Sequence, residues 1–501
     1  MVQEEKYMKI PGNREQNRSN AVKEAHLWLI PLLGIAFLLW YIKNATCDVV
    51  YSDYIRLVNS YLPDVYDPDR FFVPDVLTRI PINYLGRIIN VELFGFSITF
   101  DRVLGAVSVA LAAWVFGLYF IRHKLGSIWF ALIMAVMFSL NQWEMLTNGS
   151  GWSHFFAFAC FYYHELVFDR VWTGQEKKGD TLRMILLPVL IILGTAGPYC
   201  AIYAVVMILA SGAGMIRDLW RKKQKQSECS VLEWEKGLGF KGNFRRYLAF
   251  LFAVLIPLLL YILSNSFAVE EHAGATGRSL GELLMDAPSF PVRFLLKSLA
   301  GMLIGGEELI QWISDGKITD GFCYLLGLFV AAGYLWALWM NLRHKIYERS
   351  LFPMMLLTGG ALNHVLIFLS RYIFEKENYA LSSRYALQFQ VGILGIILTF
   401  ALAVQMKSRL SAAGRIFGAV FCIAILLGNG YTTYREIEKA PYREERFEMM
   451  RELAPLMSHL TDEEMMEMDP AAPDLYEYRK GTDKLRKAFQ ILEENQLNVF
   501  R

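Results

Sequence analysis

Apolar residues along this chain fall in blocks and not at the three- and four-residue spacing of an amphipathic surface helix. Blocks of roughly 15 to 20 apolar residues recur from end to end, the length a helix needs to cross a hydrocarbon core. About eleven spans are expected on that length. They lie near 27–45, 103–121, 126–140, 152–168, 184–198, 199–216, 248–264, 322–340, 351–369, 385–405 and 414–430. The pair flanking Gly197-Pro198-Tyr199 reads as a tight hairpin, because proline stops one long helix from continuing there. The pattern therefore specifies an all-α polytopic membrane protein.

Lysines and arginines beside the span ends set an orientation. With residues 1–26 in the cytoplasm, the clusters Arg122/Lys124, Arg170/Lys177/Lys178/Arg183, Arg217 to Arg246, Arg343/Lys345/Arg349 and Lys407/Arg409/Arg415 all fall on that side. The intervening 141–151 loop holds no basic residue. Phe290 to Ile304 has the look of a further span, but counting it turns the Arg343 and Lys407 clusters outward. It also carries Arg293 and Lys297, so an interfacial or re-entrant helix is expected. The transmembrane domain then covers 27–430, with outer loops at 46–102 and 265–321 and an extracytoplasmic helical tail at 431–501. The tail has 16 acidic residues against 11 basic ones, a soluble composition. Thr461 to Glu464 has the form of a capping box, and Asp483 to Gln496 reads as an amphipathic helix.

Composition removes several function classes. A net charge of +2 gives no reason to expect nucleic acid as a partner. The six cysteines are scattered, without the paired spacing of a zinc site or a disulfide framework. No GxxxxGK[ST], HExxH or CxxC occurs, and the GxGxxG at 237–242 lies in a basic loop with no βαβ pattern around it.

Candidate chemistry gathers on the outer side. The first outer loop opens with Asp48 and Asp53, the latter among Tyr51, Tyr54, Ile55 and Leu57. A helix continuing past the bilayer would carry Asp53 about two turns beyond the first span. A carboxylate held there either deprotonates an acceptor hydroxyl or binds a divalent cation. Asp64, Asp67 and Asp69 read as loop solvation, and the stretch from Leu77 to Leu93 as an interfacial helix whose Arg79 and Arg87 meet lipid phosphates. Glu144 ends an apolar helix beside Trp143, where an acid is costly unless solvated or paired. His154 starts the next span and either lines a cavity or packs against a neighbouring helix. Arg371 and Arg384 bracket a short outer loop, where their planar forks suit either a bound phosphate or lipid headgroups.

An acid soon after the first span, a long first outer loop with interfacial helices and an outward acid in the second loop together resemble the GT-C superfamily of membrane glycosyltransferases. The residues that carry the resemblance are FSLNQWEML around Glu144, SSRYAL at the start of a late span, and the closing ILEENQLNVF. The family often shows two adjacent acids in the first loop, whereas Asp48 and Asp53 are separated here. The resemblance implies a GT-C-like fold and the transfer of a sugar from a polyprenyl-phosphate-linked donor to an acceptor on the outer face. The product would be a cell-envelope glycan or glycolipid, made at a bacterial plasma membrane. Asp53 and Glu144 would be the catalytic acids, and Arg384, Arg371, Arg79 and His154 would contact substrate. A divalent cation, Mg or Mn held by Asp53, is the one cofactor in view, and the partners are the lipid-linked donor and membrane lipids. Two rival functions stand beside this one: a transporter or flippase of a lipid-linked or small polar substrate, and a non-catalytic membrane assembly subunit.

Overall fold

The computed structural model describes residues 12–62, 65–67, 81–228, 241–265, 275–406, 410–467 and 482–501. Among them the regular structure is entirely helical. Among the described residues nine helices are long and apolar enough to cross a membrane, which marks an α-helical integral membrane protein.

The first span, α1 (Gly12–Ala45), leads to the short α2 (Asp53–Tyr61) and to α3 (Pro81–Ile89), which runs into a π turn at Asn90–Phe94. Then come α4 (Ile98–His123), α5 (Ser127–Met137), the one-turn α6 (Trp143–Thr147) and α7 (Trp152–Thr173). After α8 (Asp180–Val189) a π turn and a 3-10 turn lead into α9 (Cys200–Glu228), followed by α10 (Lys241–Asn265). Three short helices, α11 (Leu280–Asp286), α12 (Phe290–Ala300) and α13 (Gly306–Ser314), precede α14 (Asp320–Arg343) and the single turn α15 (Ile346–Arg349). The chain closes with α16 (Phe352–Arg371), α17 (Ala386–Gln405), α18 (Ala412–Leu453), α19 (Asp462–Glu467) and α20 (Thr482–Glu494).

Two places account for the difference between eleven expected spans and nine. Helix α7 carries Glu165, Asp169 and Arg170 and is too polar to count by apolarity alone. Residues 180–221 run as one helical stretch of 42 residues. Its midpoint is broken at Gly197, whose φ of 50° and ψ of −129° suit glycine and few L residues. The two limbs do turn back on each other, since Asp180 pairs with Arg170 and Arg217 donates to Trp172 O at 2.9 Å, both at one end of α7, while α10 packs against both limbs. Helix α12 spans 11 residues, too short to cross, in agreement with an interfacial or re-entrant segment.

At the centre lies α17, with 94% of its apolar stretch buried. It meets α16 almost backbone to backbone, since a Cβ on Gly360 would fall 2.3 Å from the Gly392 nitrogen. Small residues permit that approach, and dispersion between closely packed helices stabilises it. The pairing also fixes where the chain leaves α16 at Arg371 and enters α17 beyond Arg384.

Beyond one end of the helices, the first loop and the tail share a second core. Val49, Val50, Tyr54 and Val58 pack with Phe447, Leu485, Phe489 and Leu492. Asn498 locks the two together: its Oδ1 accepts from Val50 N at 3.1 Å and its Nδ2 donates to Phe96 O at 3.0 Å. The boundary expected at 430 falls inside α18, which continues unbroken for 42 residues. The capping box is present, with Thr461 N donating to Glu464 at 2.8 Å and Glu464 N to Thr461 Oγ1 at 3.2 Å. The amphipathic helix expected over 483–496 is α20.

Helix α3 is oriented opposite to expectation. Leu85 and Ile89 are exposed and Arg87 is buried, so that arginine turns toward the protein and not toward lipid phosphates. Arg79, Asp64 and Asp69 lie outside the described residues.

Candidate active site at the capped end

Asp53 does not extend the first span. Helix α1 stops at Ala45 and Asp53 opens α2, after Ser52 at φ 48° and ψ −126°. Positive φ at a non-glycine residue is uncommon and is held here by the packing of the first-loop core. Asp48 serves a different end: its carboxylate accepts from Ser97 Oγ at 2.5 Å and Ile98 N at 2.7 Å, capping α4.

Glu144 sits on α6, which a 3-10 turn at Leu140–Gln142 separates from α5. That turn is pinned to α18 by Asn141 Nδ2 donating to Asn429 Oδ1 at 2.9 Å and by Leu140 N donating to Thr433 Oγ1 at 3.1 Å. Arg384 lies in the 3-10 turn that starts α17.

These three local structures converge. The Arg384 guanidinium donates through Nε to Glu144 Oε1 and places its other arm 3.6 Å from Asp53 Oδ2. Asn148 Nδ2 donates to the same Asp53 oxygen at 3.3 Å. Ser383 Oγ lies 2.9 Å from Glu144 Oε2 and 3.2 Å from Glu307 Oε1. The side chains of Asp53, Glu144 and Arg384 are 24%, 25% and 37% exposed, so all three remain reachable by a bound molecule.

They open onto a cavity of about 940 Å³. Arg371 and His154 line it too, so five of the six expected site residues meet there, Arg79 lying outside the described residues. Arg371 lies 5.5 Å from the Tyr385 ring centre and 5.9 Å from that of Phe374, an arrangement that steadies a guanidinium by cation–π contact. His154 is buried, stacks on Tyr199 with centroids 3.7 Å apart, and has no hydrogen-bond partner among the described residues at either ring nitrogen. Beside these polar groups, Leu366, Leu369 and Phe374 give the cavity an apolar flank, and Leu369 is itself exposed on the bundle surface.

Four contributors were not expected. Arg87 reaches the cavity because α3 turns its polar face inward. Asn148 reads as a glycosylation sequon, yet it is buried and occupied by Asp53 and Ser150. Its placement one helical turn after Glu144 was the available signal. Tyr199 follows the Gly-Pro break and presents its ring to the cavity. Glu307 comes from α13, far away in sequence, and no local pattern links it to Glu144.

The donor set does not suit a metal. Among the described residues no group of three or more His, Cys, Asp or Glu side chains could hold one. Arg384 also occupies the position that a cation bridging Asp53 and Glu144 would need. The positive charge between the two acids is supplied by the protein itself.

Comparison with known proteins returned no matching family model, no matching curated protein and no matching solved structure.

Proposed function

We propose that the protein is a GT-C-type membrane glycosyltransferase that moves a sugar from a polyprenyl-phosphate-linked donor to a hydroxyl acceptor at its capped end. The observation that carries this reading is one open cavity holding two carboxylates, three guanidiniums and an apolar flank reaching the bundle surface. An amphipathic donor needs both kinds of wall: apolar for the isoprenoid and cationic for the phosphate. As the sugar leaves, negative charge grows on the lipid phosphate, and Arg371, Arg87 and Arg384 are placed to stabilise it. Asp53 or Glu144 takes the proton of the attacking hydroxyl. The reading carries with it eleven spans and, by the resemblance, a bacterial plasma membrane; the alternation of basic clusters supports a cytoplasmic N-terminus and a capped end on the outer face.

The experiment is transfer from a radiolabelled polyprenyl-phosphate sugar by purified protein in liposomes. Asp53→Ala is expected to abolish transfer with folding intact, and retained activity removes Asp53 from the mechanism. One feature favours a second reading. The helical stretch 180–221 breaks at Gly197 beside the cavity, and discontinuous helices line the sites of transporters. Uptake of intact donor into the liposomes, without release of sugar, would select that alternative.

A further inference from the structure

The Ser383 hydroxyl stands between two carboxyl groups, at 2.9 Å from Glu144 Oε2 and 3.2 Å from Glu307 Oε1. A hydroxyl has one proton to donate and lone pairs to accept with. It therefore cannot donate to both carboxylates at once. Both contacts are satisfied together only if Ser383 donates to one carboxylate and accepts from the other as a carboxylic acid. We propose that Glu307 is the proton-holding partner of Glu144, and that the Ser383 hydroxyl passes a proton between them.

The surroundings differentiate the two acids. Glu144 is held on its other oxygen by the Arg384 guanidinium. Glu307 has weaker compensation: Arg443 lies 3.8 Å away and is shared with Glu436, to which it is 2.5 Å. Burial pushes the Glu307 carboxyl up to about 7, the Glu436 carboxylate adds to this, Arg443 opposes it and Glu144 adds again. Among the described residues the charged and titratable groups facing this pair are Arg384 and Tyr385 at the start of α17, Arg443 and Glu436 on α18, Tyr41 on α1, and Glu308 on α13 itself. Glu308 is already engaged by Lys439 and Arg435, so it does not compete for Ser383.

Asp53 has no comparable outlet. Its partners are the Asn148 amide and the Arg384 guanidinium, and neither passes a proton on. This separates the two acids of the cavity and makes Glu144 the one that can be recycled. In the step itself Glu307, whose side chain is 33% exposed, first releases its proton to water; Glu144, protonated by the acceptor hydroxyl, then gives its proton to Ser383 Oγ while the Ser383 proton moves to the Glu307 carboxylate. Glu144 is left as a carboxylate, Ser383 as a hydroxyl and Glu307 as a neutral acid, with total charge unchanged. Glu307 acts through Ser383 and Glu144 and is a positioning residue, not one that meets substrate.

The use of this proton in transfer rests on the glycosyltransferase reading, whereas the sharing itself does not. Infrared spectroscopy of the full-length protein in lipid nanodiscs, titrated from about pH 5 to about pH 9, reads the carboxyl groups directly. A protonated-carboxyl band that disappears with a midpoint near pH 7 is expected, missing in Glu307→Gln and shifted in frequency in Ser383→Ala. A band that persists in Glu307→Gln, or that Ser383→Ala leaves unmoved, overturns the inference. In the transfer assay Glu307→Gln is expected to remove one limb of the pH–rate profile near neutrality. Ser383→Thr, which keeps the hydroxyl, retains that limb, and a profile unchanged in Glu307→Gln also overturns the inference. The predicted infrared titration in a protein that transfers no sugar would refute the glycosyltransferase reading and leave the shared proton standing.

Discussion

At the end of the bundle away from the cavity, Asp169 and Asp180 are completely buried and saturated. Asp169 accepts from Arg122 at 2.7 Å, from Leu351 N at 2.6 Å and from Phe352 N at 3.2 Å, closing the start of α16. Asp180 takes two bonds of 2.8 Å from Arg170, one of 2.7 Å from Arg183 and one of 2.9 Å from Lys177 N. About 25 Å along α7 from Asp169, by helical rise, Asp53 and Glu144 share a single guanidinium and keep a quarter of their side-chain surface open. Both regions use carboxylates and arginines. The difference is how many lone pairs the protein itself fills. A saturated, buried pair fastens helices, whereas an unsaturated pair beside a cavity has capacity left for something that binds.

The largest test of this contrast is on stability. Asp169→Ala takes one of its acceptors from Arg122 and leaves two buried backbone N–H groups without theirs, and is expected to cost about 3–5 kcal/mol. Arg384→Ala removes a partly exposed ion pair and is expected to cost about 1 kcal/mol or less. Thermal unfolding of the purified variants in detergent measures both. Equal losses would mean that the cavity cluster is also a fastening, and the contrast would fail.

Activity should reverse the order. Arg384→Lys keeps one charge but loses the fork that reaches Glu144 and Asp53 together, so transfer is expected to fall roughly hundredfold or more. The same assay on a charge-conserving change at the far end, Arg183→Lys, is expected to show less than about a twofold loss, because Asp180 keeps Arg170 and a backbone donor. Similar losses at both positions would remove the assignment of function to the cavity.

How much of this could be read from the sequence depends on the length scale of each feature. Spans were legible because hydrocarbon thickness imposes a block length that survives without any contact information. The shared face of Asp53, Glu144, Arg371, Arg384 and His154 was legible through the alternation of Lys and Arg along the chain, and the cavity does bring these five together. The inward turn of Arg87 was not, because a short helix with apolar and basic residues on opposite faces fits lipid and protein equally well until its neighbours are known. Nor was Glu307, which meets Ser383 beside Glu144 through a contact made by packing across the fold. Asp169 and Asp180 lie among the basic clusters that set orientation, and nothing local separates a fastening acid from a solvated one. Nor does periodicity show that α18 continues past the apolar block, since the helix ends well beyond the last apolar run.

The smallest expected effect is the most specific. Glu307 is pushed up to about 7 in the folded protein, above the ordinary glutamate value of 4.5. A group that binds its proton more tightly when folded gives stability that is complete below the unfolded value and is lost as pH rises through the folded one. Wild-type stability should therefore fall between about pH 4.5 and about pH 7 relative to Glu307→Gln, which has no proton to lose there. The side chain is 33% exposed, so water screens the charged form and the difference stays modest. Parallel melting curves for the two proteins across that window would show that Glu307 does not hold the proton. Converging curves at low pH and separating curves at neutral pH would place a titrating group inside the cavity network, in contrast to the saturated Asp169 and Asp180 of the far end.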